Sequence, residues 1–368
     1  MVSSSYSAVS PTSTLNNRLA SLDILRGFDL FLLVFFQPVL VALGHRLDFD
    51  WMNSLLYHFD HATWFGLRFW DLVMPLFLFM TGASMPFSFA KYKALPDKRT
   101  VYRKVIRRFI ILFVLGMVVQ GNLLGLDQNR IYLYVNTLQA IAAGYLISAL
   151  LLLHTRVKTQ IIATASLLII YWIPMTFAGD FTPEGNFAYR VDQFLMGRFC
   201  GNPTYTWIWS SLTFGVTVML GTFAGRLMKN GKDNRFKIAK QLFLIGIVLV
   251  LAGWLWSFQM PIMKRVWSSS MALLSGGYCF LLMALFYYWI DVKGKTQGLE
   301  WLKIYGMNSI VAYMLGETIN FRCIAPSVSY GLEQYLGEFY PVWLTFANFF
   351  ILFLILRGMY RLRIFVKI

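Results

Sequence analysis

Residues 22–44 read Leu-Asp-Ile-Leu-Arg-Gly-Phe-Asp-Leu-Phe-Leu-Leu-Val-Phe-Phe-Gln-Pro-Val-Leu-Val-Ala-Leu-Gly. After Asp29 no charge interrupts the run. A helix of this length crosses the roughly 30 Å hydrocarbon core of a bilayer. The preceding residues 1–20 are rich in Ser, Thr and Asn and lack the basic region and small-residue cleavage site of a secretory leader. They are expected to form a disordered cytoplasmic N-terminus, and the first apolar run is expected to stay in place as a helix.

Working outward, similar runs recur near 67–90, 105–124, 132–153, 160–178, 206–228, 238–258, 266–290, 301–317 and 341–360. The chain has 368 residues, 58% hydrophobic and 14% charged. A soluble globular surface needs roughly 25% charged residues. The fold class expected is therefore all-α and polytopic, with about ten transmembrane helices in a single domain over 21–368.

The formal net charge is +16. In a soluble protein that would suggest nucleic acid; here the charges gather in alternate loops, and no nucleic-acid partner is expected. Lys91, Lys93, Lys98, Arg99, Arg103, Lys104, Arg107 and Arg108 lie between the second and third runs, and Arg226 to Lys240 between the sixth and seventh. Arg357, Arg361, Arg363 and Lys367 end the chain. By the positive-inside rule these segments and both termini are cytoplasmic. The longer connections 45–66, 179–205 and 318–340 then lie outside, where loops of that size build sites. The three cysteines, Cys200, Cys279 and Cys323, have no CxxC spacing, so neither a metal site nor a disulfide framework is expected.

Ionisable and amide groups at membrane depth are costly and mark function or structure. Asp23, Arg26 and Asp29 recur every three residues and share one helical face. They read either as an ion-pair ladder or as a polar lining for a ligand entering from the cytoplasm. Phe59-Asp60-His61-Ala-Thr-Trp64-Phe-Gly66, followed by Asp71 and Pro75, places a histidine just outside the second helix. His61 can act as a general base, with Asp60 or Asp71 holding its ring and tautomer. It can equally be a simple hydrogen-bonding residue. His45, His58 and His61 lack a metal-ligand spacing. Asn136-Thr137-Leu138-Gln139 and Gly306-Met307-Asn308-Ser309 put amides inside helices, where helix–helix hydrogen bonding is the plain reading. Lys264-Arg265-Val-Trp267 sets two cations outside, against the charge rule, which suggests contact with an anionic or polar substrate.

At these residues the chain resembles the heparan-alpha-glucosaminide N-acetyltransferase family. The resembling segments are Arg18 to Gly27, His61-Ala-Thr-Trp64-Phe-Gly66 with Asp71-Leu-Val-Met-Pro75, Leu138-Gln139, Lys264-Arg-Val-Trp267 and Gly306-Met-Asn308-Ser309. They run through residues 18 to 360 or so. The resemblance implies transfer of an acetyl group from cytoplasmic acetyl-CoA to a sugar amine across the membrane, a homodimer, and an active histidine at His61. The family's assisting asparagine falls at Gln37, and Ala140 stands where an arginine commonly follows Leu-Gln.

On that reading acetyl-CoA is the co-substrate and no metal is needed. The basic connection attracts the polyanionic donor. Arg103, Arg107 and Arg108 are the expected phosphate contacts, since arginine binds phosphate bidentately, with Arg26, Gln139, Asn308 and Ser309 along the donor path. Trp64, Lys264 and Trp267 are the expected acceptor contacts. An acetyl-histidine intermediate is the competing route. The rival class is a transporter or flippase for a polar or glycan substrate, with the same polar residues lining a path. The sequence contains no Asn-x-Ser/Thr sequon once Asn202-Pro203-Thr204 is excluded, which points toward a bacterial inner membrane.

Overall fold

A computed structural model describes residues 19–47, 49–93, 98–119, 131–201, 205–231 and 233–366. Within them the chain is helical throughout, and the one strand-like pairing is an isolated bridge between Gly66 and Met263. Eight segments are long and apolar enough to cross a membrane, the first being Ala20–Gly44 (α1). The protein is an integral membrane protein. Most of the expected disordered tail, and the basic residues Lys232 and Lys367, lie outside the described residues.

The order continues with α2 (Asp50–His58), a 3-10 turn (Phe69–Leu72) leading into α3 (Val73–Lys93), α4 (Lys98–Val119), α5 (Thr137–His154) and α6 (Val157–Phe177). Then come α7 (Phe187–Met196), α8 (Ser211–Asn230), α9 (Arg235–Trp256) and α10 (Ser269–Phe286). The last elements are α11 (Glu300–Met307), α12 (Ser309–Thr318) and α13 (Tyr340–Arg361).

Two expected spans differ from the simple reading. α4 begins at Lys98, so its first turns are cationic and only its later part is apolar. The ninth run is two helices broken at Asn308, whose backbone (φ −120°, ψ 42°) leaves the helical region. The Asn308 side chain fills the break: Nδ2 donates to the Ile364 carbonyl at 3.0 Å and Oδ1 accepts from the Val366 amide at 3.1 Å. Both halves of the amide are spent on the C-terminal tail.

Burial sorts the helices. α8 is buried along most of its length and carries the main core with α3, α5 and α10. α6 and α9 turn Ile161, Ile162, Ile169, Val248 and Leu251 outward. In water that surface would aggregate, whereas in hydrocarbon it is the natural solvent face. Because lipid supplies no hydrophobic drive between helices, close packing of small residues does the joining. A Cβ built on Gly27 would stand 1.8 Å from the Leu302 carbonyl oxygen, and one on Gly306 2.0 Å from that of Asp23. The backbones of α1 and α11 therefore touch, and only glycine fits at the crossing.

Gly27→Ala should force α11 off α1 and lower stability by about 1–3 kcal/mol. Gly358→Ala, in α13 with no atom within 4 Å of its added methyl, should be neutral or gain up to about 1 kcal/mol from helix propensity. Thermal unfolding of the two variants in one detergent checks this; equal midpoints would remove the close-packing account of α1.

Candidate active site

The site starts from a helix terminus. Asp71 sits in the 3-10 turn that opens α3, and its Oδ2 accepts the Arg68 amide at 2.9 Å while the Asp71 amide returns to the Arg68 carbonyl at 3.0 Å. This reciprocal cap satisfies orphan donors, and a carboxylate is favoured at that end of the helix. The Ala62 amide also donates to Oδ2, at 3.2 Å. Asp71 is fully buried. The stretch between Ala62 and Arg68 is thus wrapped around one carboxylate.

Its other oxygen faces His61, whose Nδ1 is 2.8 Å from Oδ1. The Lys264 ammonium lies 3.4 Å from the same oxygen. It is also 2.9 Å from His61 Nδ1 and 3.4 Å from Nε2. Those two nitrogens flank Cε1, and an in-plane approach close to both is blocked by the Cε1 hydrogen. The ammonium therefore stands over the ring face, and the in-plane Nδ1 position belongs to Asp71. Asp71 accepting from Nδ1–H leaves Nε2 as the basic nitrogen. The His61 side chain is 38% exposed, so that nitrogen is reachable.

Asp60 plays a different part. Its side chain is 76% exposed. Oδ1 accepts the His61 backbone amide at 2.7 Å, and Oδ2 lies 3.4 Å from the Arg68 guanidinium. That guanidinium covers the Tyr57 ring at 3.8 Å. Asp60 and Arg68 hold the loop, and Asp71 holds the ring.

Lys264 comes from a turn before α10. The Gly66 amide donates to the Ile262 carbonyl at 2.8 Å, which staples the His61 loop to this turn, and Gly66 adopts φ +98°, open to glycine. The turn closes on itself: the Trp267 amide donates to the Lys264 carbonyl at 2.9 Å and the Ser268 amide to that of Met263 at 3.1 Å. Trp267 is forced to φ +53°, at a cost of about 1–2 kcal/mol for an L-residue. The surrounding bonds offset that strain. The Tyr171 and Ser210 hydroxyls both donate to the Val266 carbonyl, Ser210 at 2.8 Å. The Trp267 indole donates to Thr217 at 3.1 Å and meets Phe214 edge-on at 5.0 Å. Burial pulls the Lys264 ammonium down to about 8, against the opposing pull of Asp71.

The other expected contacts are distributed as follows. Trp64 donates its indole N–H to the Phe181 carbonyl at 2.6 Å and ties two loops together. Trp267 is 2% exposed and supports the lysine turn from beneath. Gln37 follows a π-helical turn (Leu32–Phe36) in α1 and donates to the Phe59 carbonyl at 3.4 Å, two residues before His61. Arg26 pairs with Asp23 at 4.0 Å. Gln139 is wholly buried, and its amide serves local backbone: Oε1 accepts from Val135 and Asn136, and Nε2 donates to Leu133 at 2.6 Å. Ser309 opens α12 at the break. Arg103 and Arg107 face outward on α4, whereas Arg108 turns inward with its guanidinium 4.4 Å from the Tyr145 ring centre.

Sequence reasoning had no signal for Asp192. It is buried and accepts the Trp207 and Ile208 amides at 2.7 and 2.9 Å, and burial pushes it up to about 6. It orders the entry to α8 beneath the lysine turn. No metal-binding cluster occurs among the described residues.

Residues 18–261 match the profile of the heparan-alpha-glucosaminide N-acetyltransferase catalytic region. The heparan-alpha-glucosaminide N-acetyltransferases of Homo sapiens and Mus musculus are each 24% identical to the chain over 82% of its length. The alignments cover 53% and 54% of those proteins, so the chain spans about half the length of the curated relatives it matches. With the family profile covering well over half of its residues, the chain belongs to the heparan-alpha-glucosaminide N-acetyltransferase catalytic family.

Proposed function

We propose that the protein is an acetyl-CoA-dependent transferase that moves an acetyl group to the amine of a sugar, with His61 as general base. The observation that carries the reading is the His61–Asp71–Lys264 cluster, drawn together over 203 residues of sequence and wrapped in loop backbone. Family membership supplies the reaction class. The acceptor amine attacks the thioester carbonyl carbon, and His61 Nε2 takes the proton that the nitrogen loses. Asp71 bears the Nδ1–H and offsets the imidazolium charge. The carbon–sulfur bond then breaks, and His61 returns the proton to the thiolate. Lys264 neutralises Asp71 while His61 is uncharged, and beside His61 its ammonium can donate to the developing oxyanion.

In this reading the donor enters from the cytoplasmic face and the acceptor from the opposite, periplasmic face of a bacterial inner membrane. The support is the alternation of basic loops along the chain. The transporter reading relies on intramembrane polar residues lining a path. Gln139 and Asn308 instead spend their side-chain amides on neighbouring backbone, so both serve packing.

His61→Ala should cost about 10²–10⁴-fold in turnover of radiolabelled acetyl-CoA with an amino-sugar acceptor, and Asp71→Asn a similar amount by misdirecting the tautomer. Full activity in His61→Ala sinks the site assignment. The pH profile offers a second check. Lys264 must be protonated to compensate Asp71, so activity should fall as pH rises through about 8. Lys264→Met should abolish that alkaline limb and lower the plateau. In stability the sign is opposite. Between about 8 and the ordinary value of 10.5 the folded chain binds fewer protons at Lys264 than the unfolded chain, so raising pH through that window favours folding. A third check is topological. Thr63→Cys in a Cys200→Ser, Cys323→Ser background should react with a membrane-impermeant maleimide on intact cells, the remaining Cys279 being buried; labelling only after permeabilisation would put His61 on the wrong face.

A further inference from the structure

The cationic first turns of α4 and the apolar run that follows them border a groove of about 630 Å³ on the outside of the bundle. Val101, Val105, Leu112 and Gly116 of this helix face inward. Residues four apart fall on one ridge of a helix, and adjacent ridges leave a groove between them. Arg99, Arg103 and Arg107 form one edge here, and Tyr102, Ile106 and Ile110 the other. Arg103 and Arg107 are exposed, and Ile106 and Ile110 are 50% and 53% exposed. The second edge is held from the side. The Tyr102 hydroxyl is hydrogen-bonded to His154 Nε2 at the end of α5, and the two rings stack with centroids 5.9 Å apart.

Two other cations of this helix are already engaged: the Arg108 guanidinium lies over the Tyr145 ring, and the Lys104 ammonium is 5.0 Å from the Tyr92 ring centre. Arg103 and Arg107 make no ion pair among the described residues, and no acidic residue among them lines the groove. Two fork-shaped donors one turn apart therefore face outward together, a geometry suited to phosphate. The neighbouring residues select the rest of the ligand. Residues 109–119 carry no charge, so α4 enters hydrocarbon within a turn of Arg107. From Arg103 to Ile110 the helix rises about 10 Å, enough to pass from a headgroup layer of roughly 5–8 Å into the hydrocarbon. A molecule lying along the groove thus meets guanidinium at one end and isoleucine at the other, which suits an anionic head joined to an apolar tail. Coenzyme A carries charge and amides along its length and would meet isoleucine where it needs polar partners.

We propose that this groove holds one anionic phospholipid, with its phosphate on Arg103 and Arg107 and an acyl chain along Ile106 and Ile110. The proposal is independent of the acetyl-transfer reading. The full-length chain in detergent is given equimolar phosphatidylglycerol and phosphatidylcholine, and the retained lipid is identified by native mass spectrometry. Phosphatidylglycerol should be favoured by about fivefold or more, since each basic residue beside an anionic lipid is worth about that factor. The ratio should fall to near one in Arg103→Gln/Arg107→Gln. It should hold in Lys237→Gln/Lys240→Gln, which removes two exposed cations at the start of α9; unfolding midpoints are measured for each. A wild-type ratio near one overturns the site. So does an equal fall in both double variants, which would mean general charge attraction. Inorganic phosphate or CoA in large excess should leave the lipid in place; displacement by either would make the arginines a site for a soluble anion and overturn the lipid. Ile110→Cys in the Cys200→Ser, Cys323→Ser background should stay monomeric under oxidation, whereas a disulfide-linked pair would put a second copy of the chain in the groove and overturn it too.

Discussion

Asp71 is the group on which the local architecture depends. An isolated carboxylate withdrawn from water costs several kcal/mol, and the cost is met only when each oxygen is fully hydrogen-bonded. Here two backbone amides, an imidazole and an ammonium converge on it. Three stretches of chain are therefore obliged to meet at one point: residues 61–62, Arg68 and the turn at Lys264. The orientation of His61 is a by-product of that obligation. A histidine whose Nδ1–H is consumed by a buried carboxylate presents its other nitrogen outward, which is the geometry a proton acceptor needs.

The turn that brings Lys264 is irregular backbone at the edge of a hydrophobic bundle. Irregular backbone persists there only when its polar groups are satisfied internally. Val266 has two hydroxyl donors on one carbonyl, Thr206 donates to the Arg265 carbonyl at 3.1 Å, and Ser268 closes the turn from both sides. The left-handed Trp267 is tolerated because its indole is fixed by Thr217 and Phe214. Strain at this residue and order around it belong together: the backbone accepts a poor conformation so that the preceding lysine reaches across to the histidine.

The same shortage of hydrogen-bond partners explains why several polar residues serve the fold. Asn136 and Gln139 cap α5, Asn136 also reaching the Tyr313 hydroxyl at 3.4 Å, and Asn308 ends α11 by binding the tail. In a water-facing protein such ends are solvated for free. Inside a membrane bundle a short amide side chain is the available substitute, and its spacing from the helix start resembles a motif for ligand binding.

How much of this was legible beforehand depends on range. Helix existence, the apolar spans and the cationic connections follow from local composition, because a bilayer imposes a length and a polarity that any twenty-residue window reveals. His61, Asp71 and Lys264 stood out as polar residues in apolar surroundings, and the family resemblance drew them into one list. Their division of labour did not follow. Asp60 and Asp71 were equal candidates to hold the imidazole, and only burial beside the start of α3 separates the exposed loop anchor from the buried partner. Lys264 read as a substrate contact, while the fold lays it over the His61 ring from 203 residues away. Arg103, Arg107 and Arg108 looked alike, and helical phase alone turned one of them inward. The amino-acid sequence by itself determined what must be buried in lipid and which residues are expensive there. Which of those residues meet was decided by the tertiary structure, because pairing across loops depends on how helices pack, and that packing rests on close approaches such as Gly27 against Leu302 that no local pattern encodes.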